Sequence, residues 1–216
     1  MKNVPVLSGP IDVPNRLKQL GLKESILRLG VEQGQAEWAN CTLNDPPMFR
    51  GLVPWARTLR SLRESMIPEG WQRLEDGGQS FVVNESGTLA ITAATGDRRT
   101  GVKDETPCTK SSKGPKTQLV IAQNALAWTL YGDIRTAEKQ KADSRITWIL
   151  MFYRDTETSE IRCELSLPAG MNNEYQVDEW KERIILTAIP FGDGGAGIKV
   201  DSPTPNINID VQRRRA

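Results

Sequence analysis

The sequence contains no histidine. That absence removes Ser-His-Asp and Cys-His nucleophile systems, His-ligated metals and imidazole acid-base work, so any chemistry must rest on carboxylates, lysine, arginine, tyrosine or thiols. Cysteine is scarce too. Cys41, Cys108 and Cys163 are odd in number and far apart, which fits a reducing compartment better than a disulfide framework or a zinc cluster. No apolar run approaches the ~18 residues of a membrane span, and the opening MKNVPVLSGPIDVP lacks the apolar centre of a secretion signal. A cytoplasmic protein with no membrane contact is expected. Neither sign of charge dominates: the formal net charge is +1, so attraction for phosphate must come from a local patch rather than from the whole field.

What is present suffices for one sizeable core. The 216 residues are 38% hydrophobic and include six Trp, within the ordinary globular range. Asp12 or Asn15 can cap a short helix, RLKQLGL, that Gly21 ends, and LKESILRLGVEQGQAEWA reads as a second with an apolar stripe of Leu22, Ile26, Leu29 and Val31. Two helices joined at a glycine allow a helix-turn-helix, but Gly30 and Gly34 weaken the second by roughly 1 kcal/mol each, and a packed helical hairpin is the simpler reading. CTLNDPPMFRG is a turn-rich connection. Pro54 then suits the first turn of a third helix, in which Trp55, Leu59, Leu62 and Met66 form one face and Arg57, Arg60 and Arg63 the other.

From Trp71 the period shortens towards 2. WQRLE, QSFVVN and TLAITAAT, separated by glycine turns, predict a three-strand meander; in the third, Ala90, Thr92 and Ala94 leave a face smooth enough for a helix. TQLVIAQNALAWTL is helical, with Leu119, Ala122, Leu126 and Leu130 as the expected inner stripe. DIRTAEKQKADS is a charged linker. RITWILMFYRD is apolar on both faces and predicts a central strand, and EIRCELSLP predicts its partner with one wet face. MNNEYQVDEW is a loop, and KERIILTAI a last strand or short helix. The fold class is therefore α+β: N-terminal helices, then a mainly antiparallel mixed sheet with one packed helix (a βββαββ core). Residues 1–191 form a single domain, and 192–216 a flexible Gly/Pro-rich tail ending in Arg213, Arg214 and Arg215.

The order of helix, three strands, helix and strand is that of nuclease cores, an analogy of topology only. The metal chemistry of such cores needs an acid on the second strand and acid-x-Lys on the third, and VVNES followed by TLAITAATGD supplies neither. A phosphate loop fails as well, because Gly114-Pro115-Lys116-Thr117 inserts a proline and Thr109 stands where the first glycine belongs. Asp155, Glu157, Glu160 and Glu164 gather around one predicted hairpin, where acids ordinarily serve solubility. No catalytic residue, metal or cofactor is expected.

What remains is the stretch from Gly96 to Thr117, with six bases against three acids and only Val102 and Cys108 to break its polarity. A connection of this length inside a domain is either functional or a disordered insertion. Its anchoring at both ends by core elements, and its unbalanced charge beside a helix start, where unpaired N–H groups attract anions, favour function. The candidate phosphate-binding residues are Arg98, Arg99, Lys110, Lys113, Lys116 and Thr117, assisted by Arg57 and Arg60. The expected partner is DNA or RNA, bound through its backbone and without catalysis. The alternatives are a metal-dependent enzyme acting on nucleotide or nucleic-acid phosphates, with acids such as Asp97 and Glu164 converging, and a protein adaptor or inhibitor.

The segments CTLNDPPMFRGLVPWARTLRSLRE, ATGDRRTG, TPCTKSSKGPKT, CELSLPAGM and EWKERIIL resemble a family of uncharacterised bacterial proteins of the plasmid and phage type, over roughly residues 17 to 190. The resemblance implies no activity and no catalytic residues. It implies service to a mobile genetic element or to a defence against one.

Overall fold

The computed structural model describes residues 4–131 and 145–191. The elements are β1 (Val6–Leu7), α1 (Asp12–Gln19), α2 (Glu24–Ala39), α3 (Pro47–Met66), β2 (Gln72–Asp76), β3 (Gln79–Val83), β4 (Leu89–Thr95), α4 (Pro115–Tyr131), β5 (Ile146–Asp155), β6 (Glu160–Met171), β7 (Val177–Ile185) and β8 (Ile189–Pro190). All strands belong to one mixed sheet in the order β1-β7-β6-β5-β4-β3-β2, with β8 also paired to β6. Pairing is antiparallel except for β4 with β5 and β1 with β7. A parallel neighbour requires a crossover, and the chain between β4 and β5, which contains α4, supplies it. The class is α+β, as the sequence pattern requires. Among the described residues no helix is long and apolar enough to cross a membrane. The charged linker from Asp133 and the C-terminal tail lie outside the described residues.

One face of the sheet is covered by α1 to α3. Leu17, Leu27, Val31, Leu62 and Met66 pack there on Ile91, Trp148, Leu150, Phe152 and Leu165. Arg16 ties α1 to β7 through two hydrogen bonds to Glu182, at 2.6 and 2.8 Å. The third helix begins at Pro47 rather than at Pro54. Pro47 takes the first-turn position, where its missing N–H costs nothing, while Pro54 sits inside the helix. Its ring denies a donor to the preceding turn, which is tolerable because Arg50 is exposed and its carbonyl can be hydrated. Gly30 and Gly34 are points of close approach rather than weaknesses. A Cβ on Gly34 would lie 2.6 Å from the Pro54 carbonyl oxygen, and one on Gly30 3.0 Å from Leu62 Cδ2; α2 and α3 approach each other through this gap.

The other face carries α4 and the long connection before it. The expected inner stripe of α4 is wrong: Leu119 and Leu126 are 56% and 57% exposed. Thr117, Val120 and Asn124 face inward instead, Val120 against Ala90 and Phe81. Asn124 fixes the helix to the sheet, its amide donating to the Thr147 carbonyl at 3.0 Å and its oxygen accepting from the Thr147 N–H at 2.8 Å. A helix apolar on every side offers no period to choose by, and the buried amide decides. The expected wet face of β6 is also wrong, since Glu164 and Ser166 are fully buried beneath the connection. β7 begins at Val177, inside the segment expected to be a loop, because Val177 and Trp180 have that same connection to pack against.

Candidate nucleic-acid interface

The connection between β4 and α4 is clamped to the sheet along its length. Its ends pair with each other: Gly96 bridges Thr109, the Asp97 N–H donates to the Cys108 carbonyl at 3.0 Å, and the Lys110 N–H to the Thr95 carbonyl at 2.9 Å. A buried ion pair, Arg183 with Glu164, holds the part between. The Arg183 guanidinium donates to both Glu164 oxygens (3.0 and 2.7 Å) and to the carbonyls of Glu105 (2.6 Å) and Val102 (3.0 Å), while Glu164 also accepts the Gly101 N–H at 2.8 Å. Gly101 has φ +75°, and a Cβ there would stand 2.8 Å from Arg162 Cβ, so glycine is required. Trp180 Nε1 donates to the Pro107 carbonyl at 2.8 Å, Gln176 Nε2 to that of Lys110 at 3.1 Å, and the Lys113 N–H to that of Tyr175 at 2.7 Å. A polar stretch of this length keeps one shape because its backbone groups are satisfied by the strands below.

The candidate bases do not converge on one cavity. Arg98 and Lys110 are exposed, and neither side chain has a carboxylate partner among the described residues. Their main chains are fixed, Arg98 by Arg162, which donates to its carbonyl at 2.7 Å. Arg99 binds Asp97 at 2.6 Å, a bond that raises its pKa, and Lys116 binds Asp76 at 2.5 Å. Lys113 turns inward, and burial lowers the pKa of its ammonium. Thr117 is buried, and its hydroxyl accepts the Gln79 amide. Its N–H is taken by the Gly114 carbonyl at 3.0 Å, so the start of α4, at Pro115 rather than Thr117, presents less free backbone than expected. Arg57 and Arg60 line a depression between α2 and α3 with Glu37 and Glu64, and Arg60 binds Glu64 at 2.7 Å. That depression shares no lining residue with the cleft that holds Lys113.

No family model, curated protein or solved structure matches the chain.

Three of the acids weighed for the enzymatic alternative are each paired with an arginine. Asp97 is bound to Arg99, and Glu164 is sealed beneath the connection with Arg183. Asp155 binds Arg162 at 2.9 Å and accepts the Glu157 N–H at 3.0 Å. Among the described residues no three His, Cys, Asp or Glu side chains gather as metal ligands would. β3 and β4 carry no acid. Sequence reasoning missed Arg183 and Gln176 and gave Glu164 a different place, on a wet face or among converging acids; all three hold the connection. No local signal marked the pair: Glu164 alternates with apolar residues as a solvent-facing residue would, and Arg183 follows Lys181 and Glu182 in a charged run.

Proposed function

We propose that the protein is a non-enzymatic binder of nucleic acid, gripping the phosphate backbone through the outward cations of the β4-α4 connection, Arg98 and Lys110 foremost. The observation that carries this reading is a base-rich connection whose main chain is fixed by the sheet while these two cations have no carboxylate partner among the described residues. A main chain already fixed need not be ordered on binding, and contacts to phosphate position a strand without reading its sequence. Arg99 and Lys116, already paired with Asp97 and Asp76, would add field rather than free donors, and Arg57 and Arg60 belong to a separate surface. The setting we propose is a reducing cytoplasm, in keeping with three free cysteines, in the service of a plasmid, a phage or a defence against them. A complex with an acidic protein partner is the alternative that the same cations allow.

The test is fluorescence anisotropy with labelled single- and double-stranded DNA and RNA at low salt, with and without Mg2+. The reading expects binding to at least one of the four, indifferent to Mg2+, and weakened evenly across sequences by Arg98→Ala with Lys110→Ala. Failure of all four to bind, or equal binding by the double variant, overturns it.

A further inference from the structure

β3 and β4 pair at Val82 with Ile91 and Val83 with Ala90, next to the turn that joins them, where the Asn84 N–H donates to the Leu89 carbonyl at 2.9 Å. Before that point β3 follows β2, with Asp76 opposite Gln79, Glu75 opposite Ser80 and Leu74 opposite Phe81, and so it parts from the end of β4. The Thr92 hydroxyl, donating to the Ser80 carbonyl at 3.0 Å, spans the gap. What opens is a cleft of about 190 Å3 passing between the two layers that cover the sheet, with Trp55 of α3 on one side and Val120 of α4 on the other.

Its lining is divided. Trp55, Phe81, Val120 and Ile149 supply apolar wall; Ser80 and Thr117 bring hydroxyls; Lys113 is the one charged residue. The Lys113 backbone is fixed on Tyr175, so the side chain enters from a set position. Its ammonium has no hydrogen bond or counter-ion among the described residues, and burial alone perturbs it. Asp76, opposite Gln79, is already neutralised by Lys116. A partly desolvated cation without a partner costs folding free energy that no group in the described chain returns, whereas an anion seated there would supply the missing charge while the apolar wall held its body.

We propose that this cleft binds a small organic anion, a carboxylate or a phosphate ester on a compact apolar or aromatic body, with the charged group against Lys113 and the body between Trp55, Phe81 and Val120. The site is separate from the outward cations Arg98 and Lys110, so it stands whether or not the protein binds nucleic acid.

The probes are benzoate and phenyl phosphate, with phenol and inorganic phosphate as the neutral and body-less controls, read by thermal denaturation and by mass-spectrometric mapping of lysine acetylation. At ten times its Kd a binding probe should raise Tm by about 3–6 °C and protect Lys113, but not Lys110, from acetylation. A response to benzoate alone makes the ligand a carboxylate, to phenyl phosphate alone a phosphate ester; either supports the site. Lys113→Met should abolish the response while remaining folded, and Val120→Phe, which fills the apolar wall, should weaken it at least tenfold with Lys113 intact. The proposal is overturned if neither aromatic anion binds, if phenol or inorganic phosphate does as well as they do, or if Lys113→Met responds like the parent.

Discussion

Replacing Gly34 by alanine sets two effects of opposite sign against each other, and the geometry decides between them. In an open helix the change is favourable by about 1 kcal/mol, because alanine gives up less backbone freedom than glycine. At Gly34 the new Cβ would collide with Thr58 Oγ1 and stand 2.6 Å from the Pro54 carbonyl oxygen and 3.1 Å from the Thr58 nitrogen. Two of these three atoms are backbone of α3 and cannot rotate away. Overpacking of this kind costs roughly 1–3 kcal/mol, and the upper end applies where α3 must shift as a body, so the net loss is about 2 kcal/mol. For a chain of this size that lowers Tm by about 4–8 °C. Two other glycines calibrate the result. A Cβ on Gly51 meets nothing within 4 Å, and Gly51→Ala should stabilise by about 0.5–1 kcal/mol; at Gly30 it meets the mobile tip of Leu62 at 3.0 Å, and the change should fall within about 1 kcal/mol of neutral. Thr58→Ala, which removes a buried hydroxyl with no hydrogen-bond partner, should partly rescue Gly34→Ala. Urea and thermal denaturation of the variants measure this directly. If Gly34→Ala stabilised as Gly51→Ala does, the close approach of α2 and α3 would be refuted.

Lys113→Met should raise stability near neutral pH by about 1 kcal/mol, since it removes a partly desolvated, unpartnered ammonium from beside the apolar wall of the cleft. The folded-state pKa of Lys113 lies below the unfolded one, so the parent gains stability as pH rises from the folded-state value towards that of a free lysine; the advantage of the variant should shrink over that window, and a pH-independent difference would contradict the assignment. Arg183→Met leaves the Glu164 carboxylate buried and unpaired and should cost about 3–5 kcal/mol, with proteolytic cleavage between 98 and 106 appearing before global unfolding; uncut variant protein would count against the clamp. Thiol labelling at pH 8 should modify only Cys41 in the native protein. Cys108 is buried, and burial pushes the Cys163 thiol up to about 12, so both should react only on unfolding, and fast native labelling of Cys163 would contradict the packing of β6.

Much of the architecture was legible because local period and burial agree. RITWILMFYRD has apolar residues on both faces, and β5 does lie inside the sheet with neighbours on each side. Ala90, Thr92 and Ala94 do underlie the second layer: Ala90 meets Val120, and Ala94 packs in a cluster with Ile121. The misreadings share one cause, contacts between residues far apart in the chain. Glu164 and Ser166 alternate as solvent-facing residues would, yet the connection folds back over them through Arg183, nineteen residues beyond Glu164. Leu119 and Leu126 matched a helical stripe, but Asn124 turned α4 by bonding to the Thr147 backbone. In the candidate interface the surplus of bases was countable, whereas the assignment of each base was not: Lys116 is claimed by Asp76, forty residues earlier, and Lys113 by a cleft that exists only because β3 leaves β4.

The most direct measurement is the salt dependence of nucleic-acid binding for the parent and for Arg98→Gln combined with Lys110→Gln. Removing one cation from the phosphate backbone flattens the slope of log K against log salt concentration by about 0.9 on duplex DNA and about 0.7 on a single strand. The double variant should therefore be flatter by about 1.8 or about 1.4, with both lines meeting at high salt. Parallel lines of equal affinity would contradict the claim that these two cations grip the backbone.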